Sequence, residues 1–166
     1  MLKKKKIIFI IPSLKSGGAE RVTLNYLRQL SLKKYLITLI IFENKKDLRK
    51  LIPKGVIIKN LKTLSASKSF FKILKNIKKI KPDFIFTSHS RVAAVLFFVK
   101  PFVNKFKHIA RMINMPSQEK KYNIYGSFKR WIFSKAFKDA DIVIAQTHEM
   151  KNDGIKIFGL KKKKLK

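Results

Sequence analysis

Cysteine is missing from the 166 residues. Disulfides, thiolate catalysis and cysteine-based zinc sites are therefore excluded, and the redox compartment is left open. Acidic residues are scarce as well, with 9 Asp+Glu against 40 Lys+Arg for a formal charge of +31. With so few carboxylates, and with no ligand-spaced partner for His108 or His148, no metal site is expected. Long apolar runs are also lacking. The run at 7–11 is shorter than a signal-peptide core and is followed by Pro12 and Lys15, with no small-residue cleavage site. The stretch 92–99 falls far short of the roughly 20 apolar residues of a spanning helix. The expectation is a cytoplasmic chain whose membrane contact, if any, is peripheral, at the inner face of the cell membrane.

The basic excess favours anionic partners, whether nucleic acid, acidic lipid or phosphorylated substrates, without choosing among them. Hydrophobic content of 46% argues against disorder, and the length suits one domain with a real core.

Residues 5–21, KKIIFIIPSLKSGGAER, organise the chain. The unbroken apolar run Ile7 to Ile11 fits a strand buried on both faces, as inside a parallel sheet. Pro12 ends it, a short polar loop follows, and Gly17-Gly18 immediately precedes a helical pattern. Glycines permit close backbone approach, and free amides at a helix start attract anions. The motif is neither GxGxxG nor a Walker loop. On the glycines alone, a phosphate-facing loop and a plain turn are equally good readings.

Further along, helices are expected at 19–32, 67–81, from 88–90 to about 100, at 122–138 and from about 147, with a short helical segment at 47–51. Strands are expected at 35–42, 56–61, 83–87, 107–112 and 141–145, and a polar loop at 114–121. The alternation predicts an α/β, Rossmann-like, doubly wound, mostly parallel sheet in a single domain spanning 1–160. The basic tail 161–166 has no packing pattern and is expected to be disordered. Ligands of such sheets bind beyond the carboxyl ends of the strands. That selects the loops at 13–18, 88–91, 113–118 and 146–147.

His89 falls at one such end, able to hydrogen-bond an acceptor hydroxyl or simply to cap the next helix. Arg111, at another, can clamp a phosphate or pair with a neighbouring carboxylate or carbonyl. Asp139-Ala140-Asp141 imitates a metal-binding DxD motif but precedes a strand, so a helix end and a strand-edge aspartate are expected. The two basic amphipathic helices carry Lys72, Lys75, Lys129, Arg130 and Trp131 as membrane-facing candidates. Packing alone favours the opposite arrangement, with their aromatic face buried against the sheet and their lysines solvated.

The stretch IIFIIPSLKSGGAERVTLNYLRQL at 7–30 resembles the opening of family-4 retaining glycosyltransferases of the GT-B fold. KPDFIFTSHSRVAAVLF at 81–97, HIARMINMPSQ at 108–118 and KAFKDADIVIAQTHEMKNDGIKIFGL at 135–160 are similar to later segments of that family, in its order and spacing. The resemblance covers residues 5–160 but only the family's N-terminal, acceptor-side domain, so it implies one half of a GT-B fold. It implies sugar transfer, hexosyltransferase-like, from a nucleotide-sugar co-substrate to a lipid-linked or cell-surface polysaccharide acceptor, with no metal or other cofactor. Gly17 and Gly18 would face the donor diphosphate across a cleft, and His89, Arg111 and Asn114 are the acceptor-binding candidates. Ile113 stands where many members of the family carry a histidine, so no catalytic residue is assigned. The chain is expected to be a truncated fragment, inactive without a C-terminal donor domain, which a separate chain can supply. The rival readings are a basic nucleic-acid-binding α/β domain, which leaves GGAER unexplained, and a catalytically silent membrane-docking module.

Overall fold

Successive side chains of a strand point to opposite faces, so an apolar run with no polar interruption needs cover on both sides. Strand β1 (Lys5–Ile11) has that cover, with Ile7 through Ile11 all buried. Each such side chain contributes about 1.5–3 kcal/mol relative to exposure. The computed structural model describes residues 3–43, 48–118 and 126–166. Asp47, the loop positions 119–121 and the expected helix start at 122–125 lie outside these.

The remaining strands are β2 (Tyr35–Ile41), β3 (Ile57–Asn60), β4 (Phe84–Thr87), β5 (Lys107–Arg111) and β6 (Ile142–Ile144). All named pairings are parallel, and the six-stranded sheet runs β3-β2-β1-β4-β5-β6. This is the doubly wound order in which the winding reverses between β1 and β4. The helices are α1 (Gly18–Gln29), α2 (Phe70–Ile80), α3 (Ser90–Val99), α4 (Gly126–Asp139) and α5 (His148–Phe158). The expected helix at 67–81 is a 3-10 turn at Ser67–Ser69 followed by α2, which Lys81 ends in the left-handed conformation at φ 50°. Thr147 caps α5, its side chain accepting from the Met150 amide, and Gly159 closes that helix at φ 64°.

Ile7, Phe9 and Ile11 pack with Leu24 and Leu27 of α1, while Ile8 and Ile10 pack with Ile73 and Ile77 of α2 and Val92, Leu96 and Val99 of α3. Ala110 of β5 and Val143 of β6 meet Phe137 of α4 and Met150 and Phe158 of α5 on the same side as α2 and α3. On the α1 side, the half of the sheet formed by β4, β5 and β6 carries an apolar groove of about 490 Å³, lined by Phe84, Phe86, Ile109 and Ile144 with Tyr26 and Leu30.

The tail departs from its expected disorder. Residues Lys162–Lys164 form a 3-10 turn, and Leu165 is buried at 2% exposure. Leu165 bridges Val143 in parallel, the Lys166 amide donates to Val143 O, and the Ala145 amide donates to Lys166 O. The open edge of β6 offers unpaired backbone groups, and one leucine suffices to dock a segment that has no helical or strand periodicity.

Candidate functional site

The reversal between β1 and β4 brings two connections side by side at the carboxyl rim of the sheet. After Ile11 the chain turns inward through buried Ser13 and Leu14 and reaches the surface at Lys15 and Ser16. Gly17 then takes the N-cap position in extended conformation (φ −95°, ψ 159°), with no side chain capping the helix. The first-turn amides of an α-helix have no intrahelical acceptor, and the dipole adds positive potential there. Gly18 is exposed, and a Cβ built on it meets no atom within 4 Å. Both glycines lie at the mouth of the sheet, Gly18 open to solvent and Gly17 partly buried.

Glu20 takes the third helical position, and its carboxylate folds back over Gly17, so that a Cβ at Gly17 would overlap Oε2. Glu20 is 9% exposed, and its Oε1 lies 3.9 Å from His89 Nε2. His89 occupies the N-cap position of α3, its carbonyl accepting from the Val92 and Ala93 amides, but its side chain makes no cap bond. The ring turns into the rim instead, with Nδ1 3.1 Å from Ser88 Oγ. Burial, then the Arg111 and Arg91 charges, push its pKa from 6.5 down to about 4, so the imidazole is neutral at pH 7. A neutral imidazole can both donate to and accept from a sugar hydroxyl.

Arg111 ends β5 on the α1 side of the sheet and is 3% exposed. Its Nη1 is buried without a hydrogen-bond partner. Burial lowers its pKa, against the opposing influence of Tyr26 and Glu20. A buried guanidinium N–H without an acceptor is costly. His89, Arg111 and the start of α1 thus belong to one cluster. Asn114 is exposed in the loop beyond β5, and no hydrogen bond joins it to the cluster. That loop is held by Gln146 Nε2, which donates to the Met112 and Ile113 carbonyls at 3.2 and 3.3 Å, and by the Ser117 amide, which donates to Asp153 Oδ2 at 2.7 Å.

Glu20 and Tyr26 were not expected in the site. The signal for Glu20 was a glutamate three residues after the N-cap glycine, the spacing at which a carboxylate reaches back to its own helix start. Asp139 pairs with Lys100 Nζ at 2.8 Å, and Asp141 Oδ2 accepts from the His108 amide at 2.8 Å, so the DxD look-alike is structural. Among the described residues no three His, Asp or Glu side chains gather as a metal site. No helix among them is long and apolar enough to cross a membrane.

The membrane-facing candidates lie away from this rim. Lys75 and Lys129 are exposed and Arg130 is half-buried, while Lys72 is tethered by a 2.6 Å hydrogen bond from Nζ to Leu61 O. Trp131 is 54% exposed and stacks on Phe128, itself 63% exposed. Phe71 of α2 is 78% exposed. Burial of the aromatic face therefore holds for half-buried Phe70 and buried Phe137 but not for these rings, because the sheet takes Ile73 and Ile77 on the inner stripe of α2 and Phe137 on that of α4.

No curated protein sequence matches the chain. Several solved structures share its fold. Anabaena Alr3699/HepE in complex with UDP superposes with a TM-score of 0.74 at 16% identity, over 97% of this chain and 43% of that one. The lipopolysaccharide outer core galactosyltransferase WaaB gives 0.70 at 15% identity, over 97% and 44%. A putative UDP-N-acetylglucosamine 2-epimerase from Listeria monocytogenes gives 0.69 at 14% identity, over 98% and 44%. The chain thus spans less than half the length of these structures, and the likeness covers one Rossmann-like half of a GT-B architecture. The family model for Glycosyltransferase Family 4 matches residues 16–166, so with GGAER at the start of α1 and the later segments in order along the sheet rim, the chain belongs to glycosyltransferase family 4.

Proposed function

We propose that this chain forms the acceptor-side half of an enzyme that transfers a sugar from a nucleotide-sugar donor to a lipid-linked or cell-surface polysaccharide acceptor at the inner membrane face. The observation that carries the reading is the uncapped start of α1, open at Gly18, beside buried Arg111 with its unpaired Nη1. In such a transfer the bond from the anomeric carbon to the donor diphosphate breaks, a bond to the acceptor hydroxyl oxygen forms, and the hydroxyl proton passes to the departing diphosphate. Negative charge then grows on the departing diphosphate. Fixed amides and a helix N-terminus stabilise that charge without reorganising, and Gly17 and Gly18 are the residues for it. Neutral His89 would orient the acceptor hydroxyl, Arg111 would hold an acceptor phosphate, and Asn114 would meet the acceptor from the neighbouring loop. No metal is required where fixed donors neutralise the leaving group. The complexes with UDP and with UDP and glucose among structures of the same fold are consistent with this donor class.

In GT-B enzymes the donor is held mainly across the cleft, so this chain by itself is expected to be inactive. Two measurements test the proposal. Inorganic pyrophosphate titrated into the chain should shift the amide resonances of Gly17, Gly18 and Ala19; no shift at millimolar ligand would overturn the cradle. UDP-glucose hydrolysis or transfer should be undetectable with the chain alone and appear when a donor domain is supplied. Turnover by the isolated chain would refute the half-cleft reading.

A further inference from the structure

Helices α2, α3 and α4 lie next to one another in one layer, with α3 in the middle, on the side of the sheet away from α1. Their inner stripes are spent on the core, so their outer stripes all point away from the same sheet face. Each outer stripe carries rings. On α2, Phe71 is followed by Lys75, Lys78 and Lys79. On α3, Arg91 and Phe98 recur at helical spacing, and Phe102 continues the line just beyond the helix. On α4, Phe128, Trp131 and Lys135 stand at successive turns, with Lys135 Nζ 5.7 Å from the Trp131 ring.

These rings are well exposed: Phe71 78%, Phe98 47%, Phe102 60%, Phe128 63% and Trp131 54%. Phe71 and Phe102 are joined through Phe70, with centroids 5.1 and 6.3 Å apart. Isolated exposed apolar residues need no explanation, but aromatics recurring on three neighbouring helices do. The same stripes contain no carboxylate except Asp139 at the end of α4, which Lys100 neutralises at 2.8 Å.

We infer that the outer face of the α2–α3–α4 layer is a docking surface for an anionic lipid bilayer, with Phe71, Phe98, Phe102, Phe128 and Trp131 entering the interface and the surrounding lysines meeting headgroups. Charge selects this occupant over a second copy of the chain, since two such faces would repel each other. Each lysine near an anionic surface contributes on the order of 1 kcal/mol, and rings settle at the boundary of headgroups and acyl chains. The inference deepens the reading of a membrane-borne acceptor and rests on it only for its purpose. The surface lies on the opposite side of the sheet from α1, so lipid binding and pyrophosphate binding can fail separately.

Trp131 is the single tryptophan and reports directly on insertion. With phosphatidylglycerol-containing vesicles its emission should shift to the blue and be quenched by brominated acyl chains; with pure phosphatidylcholine vesicles it should not change. The variant Phe71→Ser/Phe98→Ser/Phe102→Ser keeps the net charge and should weaken cosedimentation with anionic vesicles at least about tenfold. Its pyrophosphate response at Gly18 and its circular dichroism should be unchanged. Unaltered lipid binding by that variant, or no blue shift of Trp131, would overturn the inference, as would RNA binding or dimerisation that the same three changes abolish while vesicle binding persists. A second variant, Lys75→Glu/Lys129→Glu, should lose lipid binding with all rings in place; retained binding would count against the charged rim.

Discussion

Gly18→Ala separates stability from ligand binding. Glycine inside a helix costs about 0.5–1 kcal/mol relative to alanine, and a first-turn position should recover the lower part of that range. No atom lies within 4 Å of the added Cβ, so the free protein has no steric term to oppose the gain. A gain of about 0.5 kcal/mol raises the melting temperature of a chain this size by roughly 1–2 °C. In the occupied cradle, however, the methyl stands between the α1 amides and the diphosphate. Holding the phosphate off by a methyl radius lengthens charge-assisted hydrogen bonds worth about 1.5–3 kcal/mol, so binding should weaken about tenfold to a hundredfold. Thermal unfolding and calorimetric titration with pyrophosphate read the two effects independently. An alanine variant that melts slightly higher and binds at least tenfold more weakly supports a backbone cradle. One that binds within twofold of the parent refutes it, since the open space at Gly18 would then face no ligand. Gly17→Ala is the contrasting case, because its methyl must first displace the Glu20 carboxylate.

The remaining expectations concern Arg111, acid stability and the tail. Arg111→Met removes a buried guanidinium whose Nη1 has no partner; stability in urea should be unchanged or higher, while affinity for inorganic phosphate, standing for the acceptor phosphate, falls at least about tenfold, and a loss of both would make Arg111 structural instead. His89 and His108 have pKa values pushed below 6.5, to about 4 and about 3, chiefly by burial. The unfolded chain therefore protonates first as pH falls below 6.5, so their contribution is full above that value and declines towards pH 4 and 3. The loss should approach roughly 2–3 kcal/mol for each by pH 4.5. His108→Gln, whose longer amide can keep a bond to Thr87 Oγ1 (now 2.9 Å from Nε2), should flatten the pH dependence of the urea midpoint in that window, and an unchanged slope would exclude His108 as its source. Leu165→Ala should cost about 2–4 kcal/mol in urea denaturation if the tail closes the β6 edge, and less than 0.5 kcal/mol if it does not.

What the sequence determined by itself was everything governed by neighbours a few residues away. The continuous apolar run at Ile7 to Ile11 could only be satisfied between two layers, and Pro12, Gly17 and Gly18 placed the turn and helix start. The alternation of such units restricted the chain to a parallel α/β sheet, and the rim loops followed from that. Tertiary structure alone decided which rim loops meet. Glu20 and His89 stand 3.9 Å apart because β1 and β4 are sheet neighbours although 69 positions separate the two residues, and no local pattern encodes that adjacency. The burial of Arg111 likewise depends on α1 lying over the rim. On α4 periodicity did not tell an inner ring from an outer one: Phe128, Trp131 and Phe137 share that helix, and only its packing on the sheet leaves the first two 63% and 54% exposed and buries the third. Leu165 carries the same lesson: a lone leucine among lysines shows no pattern until the open edge of β6 gives it a place. Short-range sterics and hydrophobic period act along the chain, whereas the site, the tail and the exposed aromatic face arise from contacts whose partners the fold must first bring together.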